Sequence, residues 1–211
     1  DQLDVALRCT RIGTASMVFT GAIFRGDQLL ITCELVYVFA DPATQTSRPV
    51  PQVLRAILTD YEAGLPVVTV VTGDWVTLGE DAARVRTEVF VQEQAIPMEM
   101  EWDEADATAL HAVASNRLGQ SLGTGRLLVH APGVGKIGRM AVLRVMRGSD
   151  LGRDLLQTLL AAAWTRGDRE VVLHAQRSAE GFYARLGFST RGPEFDEVGI
   201  AHVEMFTSRP S

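Results

Sequence analysis

Apolar and polar residues alternate from the first residues of the chain. Stretches of roughly Leu3 to Ile12, Ser16 to Arg25 and Gln28 to Ala40 read as three successive strands, joined by turns at Gly13 and at Gly26 and Asp27. In the third, Ile31, Cys33, Leu35, Tyr37 and Phe39 share one face, opposite Thr32, Glu34, Val36 and Val38, so one side is expected to be buried. A turn-rich connector follows, with Asp41, Pro42, Thr44, Ser47, Pro49 and Pro51. Next comes a short helix pattern from Gln52 to Tyr61, broken by Gly64 and Pro66. The pattern predicts two domains, 1–64 and 65–211.

The second part predicts a strand at Val67 to Val71 and a helix from about Leu78 to Val91. Strands follow near Leu110 to Ala114, Ser121 to Val129 and Lys136 to Leu143, with Gly119 and Gln120 turning between the first two. Leu155, Leu156, Leu159, Leu160 and Ala163 then fall on one helical face, while Arg153, Asp154, Gln157 and Arg166 point elsewhere. Gly167 and Asp168 end that helix, and a buried strand, Val171 to His174, comes after it. Strand, turn, helix and strand form a βαβ unit, so the fold class is α/β.

The turn inside that unit carries the candidate chemistry. Arg147, Gly148, Ser149, Asp150, Leu151 and Gly152 precede the helix. Unpaired amides and the positive end of the dipole at a helix N-terminus bind anions, and glycines let the backbone come close. The stretch resembles the pyrophosphate loop of the GNAT N-acyltransferases, which implies coenzyme A as ligand. Its common signature has glycine where this chain has Asp150, a residue that also reads as a helix cap.

Further residues extend the resemblance. Gln176, Ser178, Ala179, Phe182, Tyr183, Gly187 and Phe188 resemble the GNAT segment that sets a tyrosine beside the thioester. Phe90, Val91, Glu93, Gln94, Ile96, Pro97, Glu101, Asp103 and Asp106, with the closing Glu197, Gly199, Ile200, His202 and Met205, resemble its ElaA-like branch. The expected fold is therefore a GNAT fold, α/β (α+β), with a central mixed, splayed sheet and flanking helices.

The opening segment is similar to the second half of a hotdog-fold acyl-CoA thioesterase of the YbgC kind. Asp1, Leu3, Val5, Arg11, Gly13, Ser16, Phe19, Gly26, Val38, Asp41, Arg48, Pro49 and Pro51 carry that likeness. The thioesterases keep their catalytic acidic residue and long helix in the other half, so no catalytic residue transfers. A partial antiparallel sheet with one apolar face implies a missing covering segment or self-association, hence a homo-oligomer.

The GNAT resemblance implies acetyl transfer from acetyl-CoA to a primary amine by direct attack in a ternary complex. Tyr183 would protonate the leaving thiolate, since a phenol with a pKa of about 10 is protonated at neutral pH; the alternative is a tyrosine capping a core beside Phe182. Met140, Ala141 and Val142 would pair with the pantetheine arm, with Gln176 nearby. Arg147 and Arg153 would contact the diphosphate, or else be solvated charges. Glu93 is the candidate base, with Glu101 and Asp103 in the same acidic segment, which would favour a cationic acceptor or else be a solvated loop. His202 is a further candidate, and His174 is one too unless it is a hydrogen-bonded core histidine.

Composition narrows the setting. A net charge of -6 disfavours nucleic acid, and the sequence has no apolar run long enough to span a bilayer, so cytoplasm is the expectation. His111, His130, His174 and His202 show no ligand spacing, so no metal is expected. Cys9 and Cys33 are the only cysteines and read as buried free thiols.

Overall fold

A computed structural model describes residues 2–210; Asp1, which helps carry the thioesterase likeness, lies outside the described residues. Two compact units meet in sequence at Val67 and Val68.

In the first unit, β1 (Asp4–Ile12), β2 (Ser16–Arg25) and β3 (Gln28–Val38) form an antiparallel sheet in that order, followed by α1 (Gln52–Glu62). Polar contacts from Glu62 and Arg55 fix α1 to the sheet. Glu62 accepts a hydrogen bond from the Cys9 amide at 2.6 Å, and Arg55 donates to the carbonyls of Ile12 and Gly13 at 3.0 and 2.6 Å.

The expected burial of one β3 face is not what the structure has. Every residue of β3 is exposed, with Ile31 at 56% and Tyr37 at 53%. Among the described residues of this unit, Val18 and Val50 are the buried apolar side chains. A single helix of 11 residues covers little of a three-stranded sheet, and alternation in a sequence reports an apolar face without supplying what lies on it. Cys33 is likewise exposed and Cys9 half-buried, both as free thiols, which corrects the expectation of buried ones.

The second unit is a seven-stranded mixed sheet with flanking helices. Its elements are β4 (Val68–Gly73), α2 (Trp75–Arg86), α3 (Met98–Glu101), β5 (Leu110–Asn116), β6 (Ser121–Ala131), β7 (Val134–Val142), α4 (Leu151–Arg166), β8 (Glu170–Gln176), α5 (Glu180–Ala184), β9 (Ser189–Glu197) and β10 (Ile200–Ser208). The strand order is β4-β5-β6-β7-β8-β10-β9. Only the β7–β8 pair is parallel, as a βαβ crossover through α4 requires.

The helix expected from Leu78 to Val91 starts earlier and changes form. Asp74 caps α2 by accepting from the Thr77 amide at 2.9 Å, and after Arg86 the chain continues as a π-helical segment, Thr87–Glu93. Its wider turns place Val89 and Phe90 against Val85 and Ala141 in a small core.

The main core lies under α4. Leu151, Leu155, Leu156, Leu159 and Ala163 are buried, each burial of a leucine contributing about 1.5–3 kcal/mol, while Leu160 is half-buried. Two glycines of β6 let α4 approach. A Cβ at Gly123 would lie 2.8 Å from Leu155 Cδ1, and one at Gly125 would lie 2.8 Å from Leu159 Cδ1 and 2.5 Å from Met140 Sδ.

One departure from regular pairing shapes the site. β7 and β8 pair only from Val134 with Glu170 to Ile137 with Leu173, although β7 continues to Val142 and β8 to Gln176. Beyond Ile137 the two strands part. On its other side β7 stays on β6 through a bulge, between Arg126 opposite Gly138 and Thr124 opposite Ala141, where Arg139 takes a φ of 51°.

Candidate active site

The parting of β7 from β8 leaves Ala141 and Val142 paired on the β6 side only, with Met140 in the bulge and paired on neither side. The Ala141 side chain is buried, and Met140 lines the cavity beside the gap. The Val142 carbonyl accepts from Arg147 Nε at 3.1 Å.

From β7 the chain makes a short 3-10 turn, Arg144–Met146, and enters the loop that leads to α4. Gly148 and Asp150 both have positive φ, 85° and 65°, which bends the loop sharply before Leu151. The Ser149 hydroxyl donates to the Met146 carbonyl at 2.6 Å. No side chain caps α4, so the Asp150 carboxylate does not take the capping role; it lies in solvent, 3.2 Å from Arg153. The amides of Leu151, Gly152 and Arg153, in the first turn, therefore have no intrahelical partner. Leu151 is 4% exposed and anchors the helix start to the core.

Arg147 and Glu93 are brought together. Arg147 Nη1 and Nη2 donate to the two carboxylate oxygens of Glu93 at 2.6 and 2.7 Å. The hydrogen bonds from Arg147 hold the Glu93 carboxyl below its ordinary range, so while paired Glu93 is a weak base.

Tyr183, on α5, is 8% exposed, with Phe182 and Phe188 edge-on at 4.9 and 5.9 Å. Burial pushes its hydroxyl pKa up to about 12, and the hydroxyl makes no hydrogen bond among the described residues. Gln176, at the end of β8, donates to Gln94 Oε1 at 3.0 Å. Met140, Gln176 and Tyr183 share a cavity of about 380 Å³ with Lys136, His174 and Glu197.

The acidic segment that was expected to be a solvated loop, or to face a cationic acceptor, is tied up in ion pairs. Arg86, fully buried, donates to Glu101 and, at 2.9 and 3.0 Å, to Asp106. Arg126 holds Asp103 in a two-point pair at 2.7 and 2.8 Å and reaches Asp106 at 2.8 Å, while Arg139 donates to Asp103 at 3.1 Å. Trp102 and Trp75 lie against the Arg86 guanidinium, 4.9 and 5.5 Å from its carbon. Burial raises the Glu101 carboxyl, whereas the hydrogen bonds from Arg126 lower that of Asp103.

No local signal in the sequence joins Arg86, Arg126 and Arg139 to these acids, because the partners are 15 to 38 residues apart. His174, rather than being a core histidine, opens on the cavity with its Nδ1 3.1 Å from Glu197. His202 is buried, its Nδ1 2.8 Å from the Ile200 carbonyl. Among the described residues no cluster of three or more His, Cys, Asp or Glu side chains is arranged for a metal, and no helix is long and apolar enough to cross a membrane.

Residues 77–208 match the model of the family described as an acetyltransferase (GNAT) domain. The chain belongs to the GNAT acetyltransferase family. It is similar to the uncharacterized N-acetyltransferase YjcF of Bacillus subtilis, at 35% identity over 127 residues, 60% of this chain and 89% of the relative. Among solved structures it is similar to an acyl-CoA N-acyltransferase from Pseudomonas aeruginosa, with 31% identity, a TM-score of 0.61, and 67% and 99% of the two chains covered. Escherichia coli ElaA shares the fold, at 24% identity and a TM-score of 0.59 over 66% of this chain and 98% of that one. This GNAT chain is thus an acyltransferase of a fold that binds acyl-CoA.

Proposed function

We propose that the second unit moves an acetyl group from acetyl-CoA to a primary amine of a small molecule or peptide, by direct attack in a ternary complex. The observation that carries this reading is the gap between β7 and β8, which has open main chain on one side and a buried, unpartnered phenol in the same cavity. The thioester supplies an activated acyl carbon and a thiol leaving group.

The main chain of Met140, Ala141 and Val142 pairs with the pantetheine amides, as an added strand would. The amides from Gly148 to Gly152, with those of Ser149, Asp150 and Leu151 between, receive the diphosphate, Arg147 and Arg153 add charge, and Gln176 flanks the arm. Arg147 then exchanges Glu93 for the diphosphate, at small cost because an exposed ion pair contributes only about 0–1 kcal/mol. Glu93, released, regains ordinary carboxylate basicity and takes the ammonium proton of the acceptor, directly or through water. Tyr183 gives its proton to the departing sulfur.

Mixing the protein with acetyl-CoA and a panel of amines while following free thiol tests this. Amine-dependent turnover is expected; continuing release of many equivalents of thiol without amine would make the protein a thioesterase, and CoA binding without turnover a binding module.

We read residues 1–64 as a partial hotdog sheet whose exposed β3 supports self-association in the cytoplasm, with neither nucleic acid nor membrane as partner. Sedimentation at several concentrations checks it: a strict monomer would refute the self-association.

A further inference from the structure

The chain contains 19 arginines and one lysine, Lys136. Arginine stays protonated at every working pH, so Lys136 is the only lysine amine within these 211 residues. It lines the cavity that also holds Tyr183 and Met140. It sits on β7 one residue before Ile137, where the paired part of β7 and β8 ends.

Its surroundings are those of an activated nucleophile. Lys136 Nζ lies against the His174 imidazole, 3.3 Å from Nε2 and 3.5 Å from Nδ1, and His174 Nδ1 lies 3.1 Å from Glu197 Oε2. With Nδ1–H donating to Glu197, Nε2 is the unprotonated ring nitrogen, so the amine has a base beside it and the base has an orienting carboxylate, and a turn of the lysine side chain brings Nζ onto the Nε2 lone pair. Phe195 packs edge-on against the His174 ring at 4.8 Å and limits its rotation. The charged groups acting on Nζ are Glu197 on β9 and Glu204 on β10, which favour the ammonium, and Arg126 on β6 and Arg139 on β7, which oppose it. Burial is the largest influence and the net shift is downward, toward the neutral amine.

We propose that Lys136 is an internal acetyl acceptor: the protein acetylates its own single lysine. This rests on the reading of the cavity as the acetyl-CoA site. The Nζ lone pair forms a C–N bond to the thioester carbonyl carbon as the C–S bond breaks. One proton passes from Nζ to His174 Nε2 and one from Tyr183 to the thiolate. The products are an acetyl-lysine amide and free thiol, and proton return from His174 to Tyr183 through water closes the balance. The amide cannot be charged, so acetylation removes a cation from the cavity and fills part of it. A chain acetylated at Lys136 is expected to transfer to external amines more slowly.

The test is mass spectrometry of the full chain after incubation with acetyl-CoA and no added amine. One acetyl group on Lys136 is expected, formed together with one equivalent of thiol and absent in Lys136→Arg. A protein that releases thiol to external amines yet leaves Lys136 unmodified would overturn this inference and leave the proposed function standing. A protein that neither binds CoA nor releases thiol would overturn both.

A second measurement needs no CoA: trace labelling with acetic anhydride across a pH series, followed by peptide mapping. Lys136 is expected to label with a midpoint below that of an ordinary lysine, and more slowly in His174→Asn and Glu197→Gln. A midpoint in the ordinary range, about 10.4, would refute activation of the amine.

Discussion

Arg147 and Glu93 form a two-point pair, 2.6 and 2.7 Å, at the mouth of the loop that leads into α4. The same guanidinium donates through Nε to the Val142 carbonyl, so it is fixed between the end of β7 and Glu93. Arg147→Ala is expected to raise the Kd for CoA about tenfold or more, because charge-assisted hydrogen bonds contribute about 1.5–3 kcal/mol. Thermal stability should change little, the pair being half in solvent. Calorimetric titration with CoA alongside a melting curve separates the two; equal affinity in the variant would remove Arg147 from the diphosphate site.

Tyr183→Phe keeps the ring packing and removes only the hydroxyl, which makes no hydrogen bond among the described residues. Stability and the KM for acetyl-CoA should hold, while kcat falls about a hundredfold or more. The pH profile carries a further expectation. With its pKa pushed up to about 12, the phenol stays protonated where an ordinary tyrosine would titrate, so kcat of the native enzyme should show no loss from this group up to about pH 10. An unchanged kcat in the variant would leave Tyr183 a packing residue.

The buried ion-pair network gives the second unit a pH-dependent stability. Hydrogen bonds from Arg126 hold Asp103 below the usual range; at Asp106 burial opposes, and the hydrogen bonds from Arg86 and Arg126 outweigh it. Both carboxyls bind protons more weakly when folded, so their contribution is complete above the unfolded value of about 3.9 and is lost as pH falls through the folded values. Glu101, raised by burial, acts in the opposite sense and costs stability as pH rises from about 4.3 through its folded value. Arg86→Met leaves Asp106 with Arg126 alone and Glu101 with only Arg139 at 3.7 Å, and should cost about 3–5 kcal/mol in urea unfolding near neutral pH. A loss below 1 kcal/mol would mean the network is dispensable.

Gly125 is a packing constraint. In Gly125→Ala the new methyl meets Leu159 of α4 at 2.8 Å and the Met140 sulfur at 2.5 Å. The expected cost is about 1–3 kcal/mol, with a weakened grip on CoA because Met140 borders the gap. Denaturant unfolding and CoA titration read the two effects.

Much of this fold is legible in the residues because its elements obey their own periods. The Leu155, Leu156, Leu159 and Ala163 stripe specifies α4 and the face it buries, and Gly167, with a φ of 100°, ends it as a glycine in that position should. The π-helical segment is not legible, since Val89 and Phe90 suit an α-helix as well and only their packing on Ala141 distinguishes the two. The exposure of β3 is hidden for a different reason: Ile31 and Leu35 report an apolar face, not its partner. At the site, the loop and Tyr183 are visible as local motifs. The Arg126 to Asp103 pairing and the Lys136, His174 and Glu197 chain are not, because each is assembled by segments that meet only on folding.

The gap between β7 and β8 is lined by backbone, and a backbone carries the same groups whatever residues are threaded on it. On the proposed reading, a carrier there meets main chain at Ala141 and Val142, which a side-chain replacement leaves in place so long as the strand itself is not displaced. Charge in that cavity is carried instead by side chains, Glu101, Asp103, Arg126 and Arg139 among them, where a single replacement alters charge, shape and fit at once.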